Sequence, residues 1–162
     1  MSEYGKELAE KQKLKNWYNL REKEFKNYIQ KSLRKRLQSQ DPSDLLIKGL
    51  ESRLDNAIFR LGFAQSRKKA RQLVSHGYFL INKKKINIPS YQLKKGDEIG
   101  VVPQKTKKNI IQGLKISLKK YQPPAWLKLD ADQLTAEVVG SPVLAEINPP
   151  AEISAIFEFY SR

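Results

Sequence analysis

An α+β fold follows from two patterns along this chain. Up to His76 the apolar residues recur at helical spacing, and after Gly77 the period shortens to two. The 162 residues contain no cysteine, so a hydrophobic core and not a disulfide framework must hold the fold. A chain of this length forms one domain or two small ones sharing a boundary.

The first segment, residues 1–49, reads as helices with a basic exterior. Leu14, Tyr18, Phe25 and Ile29 fall on one apolar stripe, flanked by Trp17 and Tyr28. At this spacing the aromatics belong to a core and not to base stacking. Glu7–Lys11 and Glu22–Lys26 stand one turn apart in the favourable order for ion pairing. Lys11, Lys13 and Lys15 are counted with the basic exterior. Asp41-Pro-Ser-Asp44 turns into a further helix, with Ser43 or Asp44 expected as its cap.

The second segment, residues 50–102, carries more information. Leu50, Leu54, Ile58 and Leu61 follow the i, i+4, i+8, i+11 spacing of one buried stripe. Arg53, Asn56 and Arg60 share another face of the same helix, which Leu61-Gly62 ends. Ser66 is placed to cap a second helix running to His76, with Ala70, Leu73 and Val74 inward. Arg67 and Arg71 are expected outside, one turn apart, and Gly77 stops the helix. Tyr78–Asn82 and Lys85–Ile88 then read as strands joined through Asn82-Lys83-Lys84, and Ile99–Val102 follows a Gly96-Asp97 turn. Lysines at the turns keep positive charge pointing away from the sheet. Each feature alone is an ordinary solvated loop or amphipathic helix. Their concentration in fifty-odd residues gives one surface for a polyanion and one for a core.

In the third segment, residues 103–162, Lys105-Thr-Lys-Lys108 opens a lysine-rich helix over Asn109–Tyr121, and Pro123-Pro124 ends it. Trp126–Leu129 and Leu134–Val139 are strand-like. A proline-punctuated tail closes on Ile156–Tyr160.

Charge and chemistry narrow the function. Lys and Arg number 31 against 17 Asp and Glu, a net of +14 that calls for a polyanionic partner. Residues 1–50 carry 12 basic and 7 acidic side chains, and residues 51–102 carry 11 and 4. Residues 103–120 hold 6 lysines and no acid, whereas 121–162 hold 2 basic and 6 acidic residues. An acidic, aromatic tail on a basic chain is expected to fold back on its own helices. Without cysteine there is no thiolate zinc site, and His76 alone cannot make a Ser-His triad or a histidine-rich metal site. No cofactor, metal or small-molecule substrate is expected. The start lacks the charged and apolar regions of a secretory signal, and no apolar run reaches the ~20 residues that span a bilayer, so a cytoplasmic, membrane-free protein is expected.

At this point the residues become recognisable. Leu50-Glu-Ser-Arg-Leu-Asp-Asn-Ala-Ile-Phe-Arg-Leu-Gly-Phe-Ala64, Ser66-Arg-Lys-Lys-Ala-Arg-Gln-Leu-Val-Ser-His-Gly77 and Ile88-Pro-Ser-Tyr-Gln-Leu-Lys-Lys-Gly-Asp97 resemble the small-subunit ribosomal protein S-four family. Tyr4-Gly5, Glu10-Lys-Gln-Lys13, Tyr18 and Phe25-Lys-Asn-Tyr28 are similar to its first helical segment. Pro124-Ala-Trp-Leu127 and Phe157–Arg162 are similar to its carboxyl-terminal part. The resemblance implies a helical domain formed by the N-terminal segment and C-terminal parts. Between them it implies an S-four-type RNA-binding domain, two helices on a small, mainly antiparallel sheet.

Three departures limit what carries over. Bacterial members usually have a further segment before the Tyr-Gly motif, in some cases with a four-cysteine zinc site; the chain is expected to fold and enter the subunit without either. Asn82-Lys83 stands where the family commonly has Asn-Gly, and Gly140 and Leu144 stand where it has arginines. What the resemblance implies is a structural constituent of the small ribosomal subunit and no enzyme. It would be a primary binder of the 5′ domain of 16S-type rRNA that nucleates assembly near the mRNA entry side, with proteins S-five and S-three as neighbours. Arg53, Arg60, Arg67, Lys68, Arg71, Lys83, Lys84, Lys85 and Lys94 would meet phosphate, together with Lys11, Lys13 and Lys15. Asn56, Gln72, Ser75, His76, Asn82 and Tyr91 would hydrogen-bond RNA, while Asp55 orients arginines. Recognition would follow RNA shape more than sequence. Two other readings stay open. One is a pseudouridine synthase-like RNA-modifying protein, prompted by Arg53-Leu54-Asp55; the other is a free RNA chaperone carrying the same type of domain.

Overall fold

The computed structural model describes residues 2–35 and 40–162. They divide into two compact units, Met1–Leu50 with Pro142–Arg162, and Glu51–Ser141. The first holds helices α1 (Glu3–Trp17), α2 (Glu22–Lys35) and most of α3 (Pro42–Glu51), then α8 (Leu144–Ile147) and α9 (Ile153–Tyr160). The second holds α4 (Leu54–Arg60), α5 (Arg67–Ser75), α6 (Asn109–Gln112) and α7 (Leu114–Ser117). Its strands are β1 (Phe79–Ile81), β2 (Lys84–Lys85), β3 (Glu98–Val101), β4 (Leu127–Asp130) and β5 (Thr135–Val138).

In the first unit the Ser2 hydroxyl accepts the Gly5 N–H at 3.0 Å and caps α1. Asn19, at φ 58°, turns the chain back into α2. Leu14, Tyr18, Phe25 and Ile29 are all buried but not on one stripe, since Leu14 lies on α1 with Tyr18 at its end and Phe25 and Ile29 lie on α2. Leu46, Ile47, Leu50, Ile153 and Ile156 complete that core. Each such side chain contributes about 1.5–3 kcal/mol by leaving water. The carboxyl-terminal helix does fold back: Ile153 and Ile156 sit in this core, and Arg162 Nε donates to Glu7 Oε1 at 2.7 Å. Tyr160 donates its hydroxyl to Glu22 at 2.7 Å, and Glu10 accepts the Glu152 N–H at 3.1 Å.

Those contacts rearrange the expected ion pairs. Lys11 reaches Glu22 at 2.6 Å on the neighbouring helix, and Glu7 turns to Arg162. The one-turn rule describes the surface of an isolated helix, and here packed helices offer nearer partners. The cap of α3 also differs from expectation. Asp41, the residue before Pro42, accepts the Ser43 N–H at 2.9 Å.

The second unit is built on one antiparallel sheet of order β2-β1-β3-β5-β4. Leu54, Ala57 and Ile58 of α4 and Ala70, Leu73 and Val74 of α5 are buried in one core with Phe79, Ile81, Ile99, Ala136 and Val138 of the strands. Leu50, expected on the same stripe, lies in α3 and belongs to the other core. The second strand is only Lys84–Lys85, where Lys85–Ile88 was expected, because the chain leaves β1 after two register pairs. The lysine-rich helix is interrupted at Gly113, and α6 and α7 are two short pieces. Strands β4 and β5 join the sheet through Ile99↔Ala136 and Glu98↔Glu137. Residues 103–141 therefore belong to the sheet unit, and 142–162 to the helical one.

Candidate nucleic-acid interface

The amino end of α4 shows how the charges are arranged. Arg53 is fully enclosed, and its Nε and Nη2 each donate at 3.0 Å to one oxygen of Asp55. A planar guanidinium matches a carboxylate with two parallel bonds, which is how both charges tolerate burial. Around this pair the loop preceding β3 is laid against the helix end. Leu54 N–H donates to Tyr91 O at 2.9 Å, Asp55 N–H to Pro89 O at 3.1 Å, and Leu93 N–H to Ser52 O at 2.8 Å. The loop thus takes up helix-end donors that have no partner within the helix. Arg53 holds this junction and does not present a face to phosphate, which corrects the expectation for it.

A second buried network lies behind α4 and α5. Glu51, wholly buried, receives Asn56 Nδ2 at 2.9 Å and both Nε and Nη2 of Arg60, at 3.0 and 2.9 Å. Asn56 passes the chain of bonds on, its Oδ1 accepting Arg67 Nε at 3.0 Å. The Arg67 guanidinium also lies 4.5 Å from the centre of the Phe59 ring. Asn56 and Arg67 were expected outside; both are buried, because Glu51 and Phe59 provide partners that helix periodicity does not show. Arg60 is half-buried and tied to Glu51.

In front of this network lies an open basic surface. Lys68, Gln72 and Ser75 stand at i, i+4 and i+7 on α5 and are exposed, as is His76 just beyond; Arg71 is half-buried. Ser66 caps the helix by accepting the Lys69 N–H at 3.0 Å. Lys69 Nζ donates to Gln72 Oε1 at 2.9 Å, which leaves the Gln72 amide N–H groups as donors to anything outside. Lys69 was missed in the sequence, although it completes the basic triplet Arg67-Lys-Lys69.

The β1–β2 hairpin brings Lys83, Lys84 and Lys85, all exposed, next to the end of α5. The approach is visible at Gly77, φ 77°, where a Cβ would come within 2.5 Å of Lys85 Cε and 3.0 Å of its Nζ. The left-handed backbone there is what favours glycine. Asn82 and Lys83, at φ 50° and 70°, make a two-residue turn with both central residues left-handed. The Asn82 side chain supports it, accepting the Glu98 N–H and donating to Asp97 Oδ1, both at 2.9 Å. Lys94 is exposed and its N–H donates to Asp97 Oδ2 at 2.8 Å, while Tyr91 is half-buried.

In the helical unit the lysines are differently placed. Lys11 is buried, held by Glu22 and 5.2 Å from the centre of the Phe159 ring, so it belongs to the fold and not to the exterior. Lys15 lies 3.7 Å from Glu22, with its side chain 17% exposed. Lys13 is exposed and pairs with Glu10 at 2.7 Å. Three carboxyls here are held below the ordinary carboxylate range. The Arg162 hydrogen bond does this for Glu7 against some burial, and the Lys13 hydrogen bond does it for Glu10. For Glu22 burial pushes upward, but hydrogen bonds from Lys11 and Tyr160 outweigh it. Among the described residues no group of three or more His, Asp or Glu could hold a metal ion, and no helix is long and apolar enough to cross a membrane.

The family described as "S4 domain" matches residues 52–99, and that described as "Ribosomal protein S4/S9 N-terminal domain" matches residues 1–51. Among curated relatives, the small ribosomal subunit protein uS4 of Mesomycoplasma hyopneumoniae (strain 7448) is 43% identical, over 99% of this chain and 78% of its own length. That of Syntrophomonas wolfei is 45% identical, over 99% of this chain and 76% of its own. The uS4 of Thermodesulfovibrio yellowstonii is 40% identical, over 100% and 76%.

Proposed function

The chain belongs to the family of small ribosomal subunit protein uS4, and from that membership we propose that it is a primary binder of the 5′ domain of 16S-type rRNA. It is a structural, non-enzymatic protein of the small ribosomal subunit, and translation is the process it serves. In binding the 5′ domain it nucleates assembly, and it comes to lie near the mRNA entry side beside proteins S-five and S-three, in cytoplasmic ribosomes.

One observation carries the RNA reading: exposed Lys68, Gln72, Ser75 and His76 on α5 adjoin Lys83–Lys85 on the hairpin, beside a buried network of Glu51, Asn56, Arg60 and Arg67. Cations on a rigid support lose little freedom when they meet a folded polyanion. The geometry speaks against the modifying-enzyme reading. Asp55 is 3% exposed, and its oxygens already accept Arg53 and the Asn56 N–H. Matches over nearly the whole chain speak against a free chaperone that shares only the central domain.

The test is binding of the intact chain to folded 5′-domain rRNA across a salt series, followed by reconstitution of small subunits of its own species. Affinity should fall steeply with salt, as phosphate neutralisation releases counterions, and the protein should remain on salt-washed subunits. A flat salt response, or loss on washing, would overturn the reading. Crosslinking of the assembled subunit checks the two neighbours.

A further inference from the structure

Between the end of α4 and the α6–α7 segment of the sheet unit runs an open groove of about 940 Å³. Phe59, Phe63, Leu114 and Leu118 line it, and Tyr121 stands at its side. Tyr121 is 40% exposed, yet its ring is fixed. Its hydroxyl donates to Arg60 O at 2.7 Å, and its Cε2 and Cζ would lie 3.2 Å from a Cβ at Gly62. Gly62 has φ 80° and would also bring a Cβ within 2.8 Å of Leu118, so glycine is what lets the ring settle there.

Charge identifies the occupant. Among the described residues no acidic one lines the groove, Lys69 does, and the exposed Lys119 and Lys120 immediately precede Tyr121. An apolar peptide would suit the floor but find only repulsive or unpaired cations at the rim. An unstacked nucleobase with its flanking phosphates suits both. Aromatic rings with adjacent cations are how proteins hold bases turned out of RNA helices, and such stacking tolerates any base.

We propose that this groove receives an unstacked base of the bound rRNA, with Tyr121 as its stacking platform and Lys69, Lys119 and Lys120 along the backbone of that nucleotide. The proposal rests on the rRNA-binding function. Its test uses the intact chain bound to folded 5′-domain rRNA. Ultraviolet crosslinking of the wild-type complex should join a nucleotide to the peptide containing Tyr121. Tyr121→Leu should weaken binding roughly tenfold without changing the slope against salt, since stacking releases no counterions. Tyr121→Phe keeps the ring and should bind like wild type. If wild type itself fails to bind this RNA, the ribosomal reading fails. If wild type binds, but Tyr121 crosslinks to no nucleotide or to a neighbouring protein in the assembled subunit, the groove proposal fails. It fails equally if folded Tyr121→Leu binds as wild type does. Should Tyr121→Leu not fold, the wild-type crosslink alone decides.

Discussion

At Lys83 the stability of the turn and the proposed rRNA contact make opposite demands on one side chain. At φ 70° it occupies backbone space that costs an L-residue about 1–2 kcal/mol, in a turn where glycine is free of that cost. Lys83→Gly should raise stability by about 1 kcal/mol in denaturant melts while lowering rRNA affinity. A variant that loses both would show that the lysine side chain braces the turn. Glu51 gives the contrasting case. It collects Arg60 and Asn56 while wholly buried, so Glu51→Ala removes the carboxylate that the half-buried Arg60 and the buried Asn56 share. Breaking such a pair costs about 3–5 kcal/mol, and equilibrium unfolding should show a loss of that order.

Helix α5 has a buried face and an exposed one. Leu73 is 2% exposed and packs in the sheet unit's core, so Leu73→Ala should cost about 2–5 kcal/mol. Arg71 lies on the half-buried flank, and Arg71→Ala should lower rRNA affinity with little change in melting temperature. Unfolding of the Arg71 variant would refute that division. Helix α9 is fastened differently, by carboxylates. Glu7, Glu10 and Glu22 are held below their ordinary values in the folded chain, so their contribution is complete above the unfolded carboxyl range and is lost as pH falls through the lowered folded values. The helical unit should therefore loosen below about pH 4. Arg162→Ala removes the partner of Glu7, so its deficit against wild type should be present at pH 7 and shrink below pH 4. A deficit constant across that range would mean that Arg162 acts through packing alone.

Over the whole chain the positive charge is unequally shared. Residues 51–141 carry 18 basic and 7 acidic side chains, a net of +11, against 13 and 10, a net of +3, in the helical unit. Counterion release on rRNA binding should follow the same division. Replacing Lys83, Lys84 and Lys85 together by glutamine should reduce the slope of log affinity against log salt by about 0.7–0.9 for each phosphate no longer neutralised. Replacing Lys13, already paired with Glu10, should change it less. Equal effects of the two sets would contradict the assignment of the main electrostatic surface to the sheet unit.

Periodicity and punctuation were enough to find α4, α5, β1 and β3 with their apolar sides, but not the tail helices α8 and α9, the break between α6 and α7, or the bounds of β2. Leu14 on α1, Phe25 and Ile29 on α2, and Ala70, Leu73 and Val74 on α5 are buried because the spacing of side chains gives each helix its own apolar face. Glycine did the same for the ends of α4 and α5, since Gly62 and Gly77 hold a backbone shape that other residues adopt only under strain. Motif spacing also led to the family. Which polar side chains face solvent was a different matter. Arg53, Asn56, Arg67 and Lys11 look like surface residues one helix at a time, yet Asp55, Glu51, Phe59 and Glu22 enclose them. Three of these partners come from other elements: Glu51 closes α3, Phe59 of α4 meets Arg67 of α5, and Glu22 opens α2. The placing of Tyr121 over Gly62 depends on segments 59 residues apart, as does the joining of β4 and β5 to the sheet on a partner strand far back in the chain. A charge or a ring takes its role from whatever packing brings within reach, and helical or strand period carries no information about neighbours contributed by another element.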